Sequence, residues 1–458
     1  MDKVIWEKVK SFDLDAPLGE FPFSTRLAKE NLWTEYFTQK AILEYKKFMF
    51  MAATAGSMVS PSEVVDEVWH LHLTYSKSYS DFCNLLGKEI HHVPSSQTAQ
   101  EKAQFREARL KTQLLYKINF GDPPEDIWIH PTMWDSLQLP KAKFKLRTKV
   151  IYGVLAYILL LFPGYWLLKP LYSNIDSSVF FTFYFGSIIV AAIFFKVFNT
   201  SMSDKLISSV SEHSFLEHLS SLEMTYISNT NTTLVINAVM DKLHRKKIVN
   251  IDKGYKISMS KGNYENHYEY IIMESMKLNK DPFYYPELLK KIHNKNAFLN
   301  FELIVSGITK YFHKSTLFNK QFMINFFVLS SIIFFGAVRI LTGISRDKNI
   351  GFISFVVLAS ILIATLYLTR LAKRSGMGSI MRLYNNKKES KKSNGKYIEY
   401  WGYYFVGTEF YSSEFTPLAN YVEKNSGGSD SGSSCGSSCG SSCGSSCGGG
   451  GCGGCGGD

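Results

Sequence analysis

Four long apolar runs constrain this chain more than any other feature of it. Val150 to Leu168 is 19 residues without a charge, close to the roughly 20 that a helix needs to cross about 30 Å of hydrocarbon. Val179 to Phe195 is also uncharged and follows after a short loop. A second pair comes much later: Phe322 to Val338, ended by Arg339, and Ile350 to Leu368, followed by Arg370. Helices of a soluble core rarely stay apolar on every side for so long. The expectation is four transmembrane helices in two hairpins, with Pro163 kinking the first. Mean hydropathy lies near zero because water-facing stretches offset these runs.

An even number of spans puts both termini and the long middle segment on one face. Lys141, Lys143, Lys145, Arg147, Lys149, Lys196, Lys205, Lys310, Lys314, Lys320, Arg370, Lys373 and Arg374 flank the runs on that face. Only Lys169, Arg346 and Lys348 lie in the short loops. Lys and Arg near spans are retained in the cytoplasm, so the expected location is the cell membrane, multi-pass, with cytoplasmic N and C termini. The net charge of +11 is then directed mainly at the lipid bilayer and its anionic headgroups, not at nucleic acid. The N-terminus, MDKVIWEKVKSFDLD, carries charges where a secretory signal needs an apolar core.

The fold class expected is mainly α. It divides into a helical N-terminal domain (1–140), a first transmembrane hairpin (150–198) and a small α+β, winged-helix-like cytoplasmic module (199–320). A second hairpin (321–370), a juxtamembrane aromatic segment (371–424) that could lie at headgroup level, and a disordered Gly/Ser/Cys-rich tail (425–458) complete it. In the head, residues 26–53 read as one helix. The next starts at a capping box of Ser60, Pro61 and Glu63 and runs to Gly87, a helix-ending glycine; a third covers about 98–117. In the middle module, two helical stretches precede the alternating strands KIVNID and YKISM. The second of these helices ends in Lys242, Arg245, Lys246 and Lys247, which could meet phosphates or simply complement the helix dipole.

The segment Asp66 to Cys83, DEVWHLHLTYSKSYSDFC, is the most distinctive in the chain. On a helix Val65, Val68, Trp69, His72, Tyr79 and Cys83 share one stripe, while His70 points elsewhere, over Asp66 and Thr74. Residues two apart lie about 200° apart, so His70 and His72 cannot bind one metal on a regular helix. His72 could meet His91, His92 or His130 from the following loops in a site for zinc or another soft metal. Alternatively it is a hydrogen-bonded core histidine.

PSEVVDEVWHLHLTYSKSYSDFC, followed by IHHVPS and FGDPPEDIWIHP, resembles the N-terminal domain of the glycine-rich domain-containing protein-like family over about residues 20–135. Bacterial members look like multi-pass membrane proteins with this domain in front and a Gly/Cys-rich tail behind, an architecture this chain repeats. The resemblance implies no established enzymatic activity. It carries Trp69, His70, His72, His91 and His92 over as motif positions without an assigned role.

Six of the seven cysteines, Cys435, Cys439, Cys443, Cys447, Cys452 and Cys455, lie in the tail. As thiolates they could bind zinc or another soft metal, or they could be a drifting repeat with no fixed ligand. The sequence contains no P-loop, no GxGxxG after a strand, no GxSxG, no HExxH and no kinase signature. No carboxylate or histidine lies within the four runs, which disfavours transport. The expected function is that of a non-enzymatic membrane sensor, scaffold or interaction protein with cytoplasmic protein partners. The alternatives are a membrane-anchored metal-dependent enzyme using the head's histidines and, as a minor reading, nucleic-acid binding by the middle module.

Overall fold

A computed structural model of the chain describes residues 2–17, 19–93, 98–210, 214–252, 254–260, 262–277, 282–393, 396–426 and 455–456. These belong to two compact units, each built from separated stretches of sequence. One comprises residues 1–136, 213–305 and 385–458, the other 137–212 and 306–384.

The second unit contains four helices long and apolar enough to cross a membrane: Leu146–Asn174, Ser177–Ser208, Thr316–Ile344 and Gly351–Lys373. Each outlasts the apolar run that announced it: the first three extend past it at both ends, and Gly351–Lys373 only at its C-terminal end. The first continues through Pro163 and Pro170. Packing centres on Thr316–Ile344, against which the other three helices lie. The first two helices therefore meet the third more closely than they meet each other. Gly336 shows why this approach is possible: a Cβ there would sit 2.5 Å from Val357 Cγ2 and 3.1 Å from the Tyr184 ring. Small residues let helix backbones approach where lipid supplies no hydrophobic drive. Tyr172, Phe180, Tyr184, Val338, Ile353, Val356 and Val357 form the packed cluster around that contact.

Polar side chains join the same helices. Asn199 Nδ2 donates to Asn325 Oδ1 at 3.0 Å and to the Tyr367 hydroxyl at 2.7 Å, while Asn325 Nδ2 donates to Asn199 Oδ1 at 2.8 Å. Gln321 Nε2 adds a bond of 3.1 Å to Asn199 Oδ1. Arg339 is held by the Tyr172 and Ile175 carbonyls.

In the first unit the head is helical, with two departures from the sequence expectation. Residues 26–53 are not one helix but two, Phe23–Asn31 and Glu35–Thr54, separated where Leu32 takes a left-handed conformation at φ 56°. Thr34 caps the second by accepting from Phe37 N. The capping box at Ser60 does not form; Ser62 caps the Glu63–Thr74 helix instead, accepting from Val65 N at 3.2 Å. That helix breaks at Tyr75, and a second, Ser76–Leu86, ends on Gly87 at φ 70°, the left-handed geometry that glycine adopts without a Cβ clash. Charge is also buried here. Glu44, 2% exposed, accepts from Lys47 Nζ, the Tyr116 hydroxyl and Trp128 Nε1, each at 2.8 Å.

The middle segment places helices Ser221–Asn229 and Thr232–Arg245 before an antiparallel ribbon, Val249–Asp252 against Lys256–Met259. A third strand, Phe283–Tyr284, joins the ribbon. The aromatic segment after the last apolar helix packs into the first unit. Phe415, Leu418 and Ala419 are at most 1% exposed, and the segment closes over the Thr232–Arg245 helix. Asp241 accepts there from the Tyr403 hydroxyl at 2.8 Å and from Ser412 N at 3.0 Å.

Candidate metal centre

The Glu63–Thr74 helix sets two faces. Its apolar face carries His72, which is fully buried beside Phe23, Tyr45, Tyr79 and Phe82. The Tyr45 hydroxyl lies 2.8 Å from Nδ1 and the Ser78 hydroxyl 3.1 Å from Nε2, so both ring nitrogens are partnered. Burial pushes the imidazole down to about 4, which keeps it neutral. His72 is thus a satisfied core histidine and does not join His91, His92 or His130.

On the other face, Asp66 and His70 stand one helical turn apart, as i,i+4 spacing requires, with His70 Nε2 3.4 Å from Asp66 Oδ2. The chain after Gly87 delivers the third member. Trp69 Nε1 donates to the Tyr79 hydroxyl at 3.1 Å, and that hydroxyl donates to the Ile90 carbonyl. This tie fixes the strand His91–His92 beside the helix. His92 then packs edge-on to Trp69 with ring centroids 4.5 Å apart and brings Nε2 to 3.0 Å from Asp66 Oδ1. The ligand atoms of Asp66, His70 and His92 all lie within 4.8 Å of one another, the one such group among the described residues. Asp66 and His92 are largely covered, at 18% and 11% side-chain exposure, whereas His70 is 57% exposed.

Two imidazoles and one carboxylate are the donor set of open divalent sites, which keep further positions for water or another ligand. The arrangement can hold a zinc-like ion on Nε2 of both rings and one Asp66 oxygen. Sequence reasoning missed Asp66 as a ligand, although the i,i+4 spacing under His70 was a usable signal. Of the other expected positions, His91 is exposed and outside the group. His130 follows the short Glu125–Trp128 helix and is likewise outside it. Cys435, Cys439, Cys443, Cys447 and Cys452 lie outside the described residues; for Cys455 only the backbone is described, in register with His92.

Lys242, Arg245 and Lys246 of the middle module are engaged locally. Lys246 Nζ sits 2.8 Å from Glu269 Oε1, Lys242 Nζ 3.3 Å from Glu265 Oε2, and Arg245 Nε 2.8 Å from Asp241 Oδ2. Carboxylates already compensate these charges.

Residues 24–118 match the model of a family described as UCP032817-like. The chain is similar to that family over this stretch, which contains Asp66, His70 and His92 as well as the buried His72. No curated protein and no solved structure matches the chain.

Proposed function

We propose that this is a membrane-anchored protein whose helical head takes up a zinc-like divalent metal at Asp66, His70 and His92. The observation that carries the reading is the convergence of three ligand atoms within 4.8 Å, in a stretch where one ligand comes from a strand and two from a helix. The four apolar helices act as the anchor, and the flanking Lys and Arg favour cytoplasmic termini. The head serves as a sensor or interaction module, with occupancy of the metal tying the His91–His92 strand to the Glu63–Thr74 helix. We also propose membership of the glycine-rich domain-containing protein-like family, on the residues that carry the resemblance.

The test is cobalt(II) titration of the full-length, detergent-solubilised protein, followed by visible absorption. Nitrogen and oxygen ligation gives weak d–d bands, whereas tail thiolates would add intense charge-transfer bands. Cobalt should bind at one equivalent without thiolate bands in a chain truncated after Ser426. His92→Ala and Asp66→Asn should lose that equivalent, while His91→Ala and His130→Ala should keep it. Unchanged binding by Asp66→Asn and His92→Ala together would overturn the assignment.

A further inference from the structure

We propose that a second site, independent of the metal centre, binds an anion through a phosphate group, carried by a phospholipid headgroup or by a free phosphate ester. It is a cleft of about 600 Å³ in the second unit, at the end of the four apolar helices where both short loops lie. Its walls come from within residues 173–181 at the first loop and 339–353 at the second. That volume lies in the range of small-molecule pockets, roughly 300–1,000 Å³.

Three cations line the cleft, Arg339, Arg346 and Lys348, against a single carboxylate, Asp176. The guanidinium of Arg339 has five N–H donors. Nη1 donates to the Tyr172 carbonyl and Nη2 to the Ile175 carbonyl at 2.9 Å, and the other three N–H groups have no partner among the described residues. The same guanidinium lies over the Tyr172 and Phe180 rings, 5.6 and 5.1 Å from their centroids. Arg346 Nη1 donates to the Ser173 carbonyl at 3.1 Å, which ties the end of the Leu146–Asn174 helix to the second loop. Lys348 is exposed. Carbonyls and rings orient these charges without cancelling them, and among the described residues none of the three is in an ion pair. Lys242, Arg245 and Lys246 of the first unit, by contrast, each have a carboxylate. Arg346 and Lys348 are the two basic residues of the second loop and both line the cleft, whereas Asp347 between them does not.

The backbone adds charge of the same sign. The Ser177–Ser208 and Gly351–Lys373 helices both begin at the cleft, and neither N-cap residue, Asp176 or Ile350, caps its helix through its side chain. Asn349 covers Gly351 N alone, at 2.9 Å. First-turn N–H groups have no partner within their own helix, and the positive end of the macrodipole favours an anion there. Two helix starts and three uncancelled cations therefore act on one space.

A metal cation is repelled by this field. Phosphate suits it better than a lone carboxylate, because a phosphate monoester carries about −1.5 to −2 charges at neutral pH and three acceptor oxygens, and the guanidinium fork matches those oxygens in pairs. The cleft is also amphipathic. Phe181 and Phe352 line it, edge-on to each other with ring centroids 4.9 Å apart, and Phe352 is 63% exposed. Rings of this kind suit the glycerol and first methylenes of a phospholipid whose phosphate meets the arginines.

The experiment uses the full-length protein in non-ionic detergent. Native mass spectrometry reads retention of phosphatidylglycerol against phosphatidylcholine, and calorimetry reads binding of glycerol 3-phosphate against acetate. One equivalent of phosphatidylglycerol kept in preference to phosphatidylcholine assigns the phosphate to a lipid. Saturable binding of glycerol 3-phosphate in preference to acetate assigns it to a free ester, and either result supports the site. Arg346→Gln with Lys348→Gln, both exposed, should weaken whichever ligand binds by about tenfold or more, as loss of hydrogen bonds to a charged group does. Lys320→Gln with Lys373→Gln, near the other ends of the Thr316–Ile344 and Gly351–Lys373 helices, should leave it bound. Near-UV circular dichroism establishes that the variants are folded, and the ligand panel on the unaltered protein decides the matter if they are not. Absence of a preference in both comparisons, or equal weakening by the two double variants, would overturn the proposal. His92→Ala should bind as the unaltered chain does, which separates this site from the metal centre.

Discussion

Glu35 and His72 are both titratable groups pushed toward their neutral forms, yet they sit in opposite settings. His72 has two hydroxyl partners and no water; Glu35 faces a wet cleft. For Glu35 the folded carboxyl titrates near 7 against an ordinary 4.5. The neutral form is favoured in the fold, so its contribution to stability is full below about 4.5 and is lost as pH rises through 7. Groups facing it are Glu223, Glu399 and neutral His267. Melting temperatures of the unaltered chain and Glu35→Gln should coincide near pH 4.5, with the variant melting higher at pH 8; parallel curves would show that the carboxyl is not strained. At His72, Tyr45→Phe removes one of the two ring partners. That should cost about 1–3 kcal/mol, read as a lowered melting temperature, and should leave cobalt binding intact because the metal centre is on the other face. The sequence made His70 over Asp66 legible, since helical spacing alone sets that pair. It named His92 as a candidate ligand but set it beside His72, because its approach to Asp66 and His70 depends on the left-handed Gly87 and on the Tyr79 hydroxyl reaching the Ile90 carbonyl.

At the level of elements, apolar length was enough to read the four long helices, because no other stretch of the chain stays both uncharged and apolar for so many residues. The breaks at Leu32 and Tyr75 were not readable, since neither is a glycine or proline and both are settled by what packs around them. The same holds for the polar bonds between the membrane helices. Asn199, Gln321, Asn325 and Tyr367 look like isolated polar residues at the ends of apolar runs until three helices bring them together. Asn325→Leu removes the donor to Asn199 and the acceptor for Asn199 and Tyr367. Interhelical bonds of this kind contribute about 0.6 to 2 kcal/mol. The variant should unfold at lower denaturing-detergent fraction in mixed micelles by an amount in that range. Gly336→Leu should be worse, because Val357 and Tyr184 would both have to move, and a separated Thr316–Ile344 helix no longer joins its three neighbours.

For the whole molecule, the interleaving of the two units limits which way the chain can lie. Residues 1–136, 213–305 and 385–458 belong to one compact unit, and the apolar helices come between them in pairs. Stretches that fold together must lie on one side of a bilayer, which an even number of crossings on each excursion satisfies and an odd number does not. The compact unit therefore supports an even number of crossings on each excursion, and the four long apolar helices supply two for each. It does not choose the side; the proposed orientation rests on thirteen Lys and Arg flanking the runs against Lys169, Arg346 and Lys348 in the short loops. With the cytoplasmic termini proposed above on the positive-inside rule, the tail cysteines would face the reducing cytoplasm, where thiols stay free. A membrane-impermeant maleimide should leave Cys435 to Cys455 unmodified in intact cells and label them after permeabilisation. Rapid labelling before permeabilisation would reverse the proposed orientation, put the candidate metal centre outside the cell, and make disulfides among the tail cysteines the expected state.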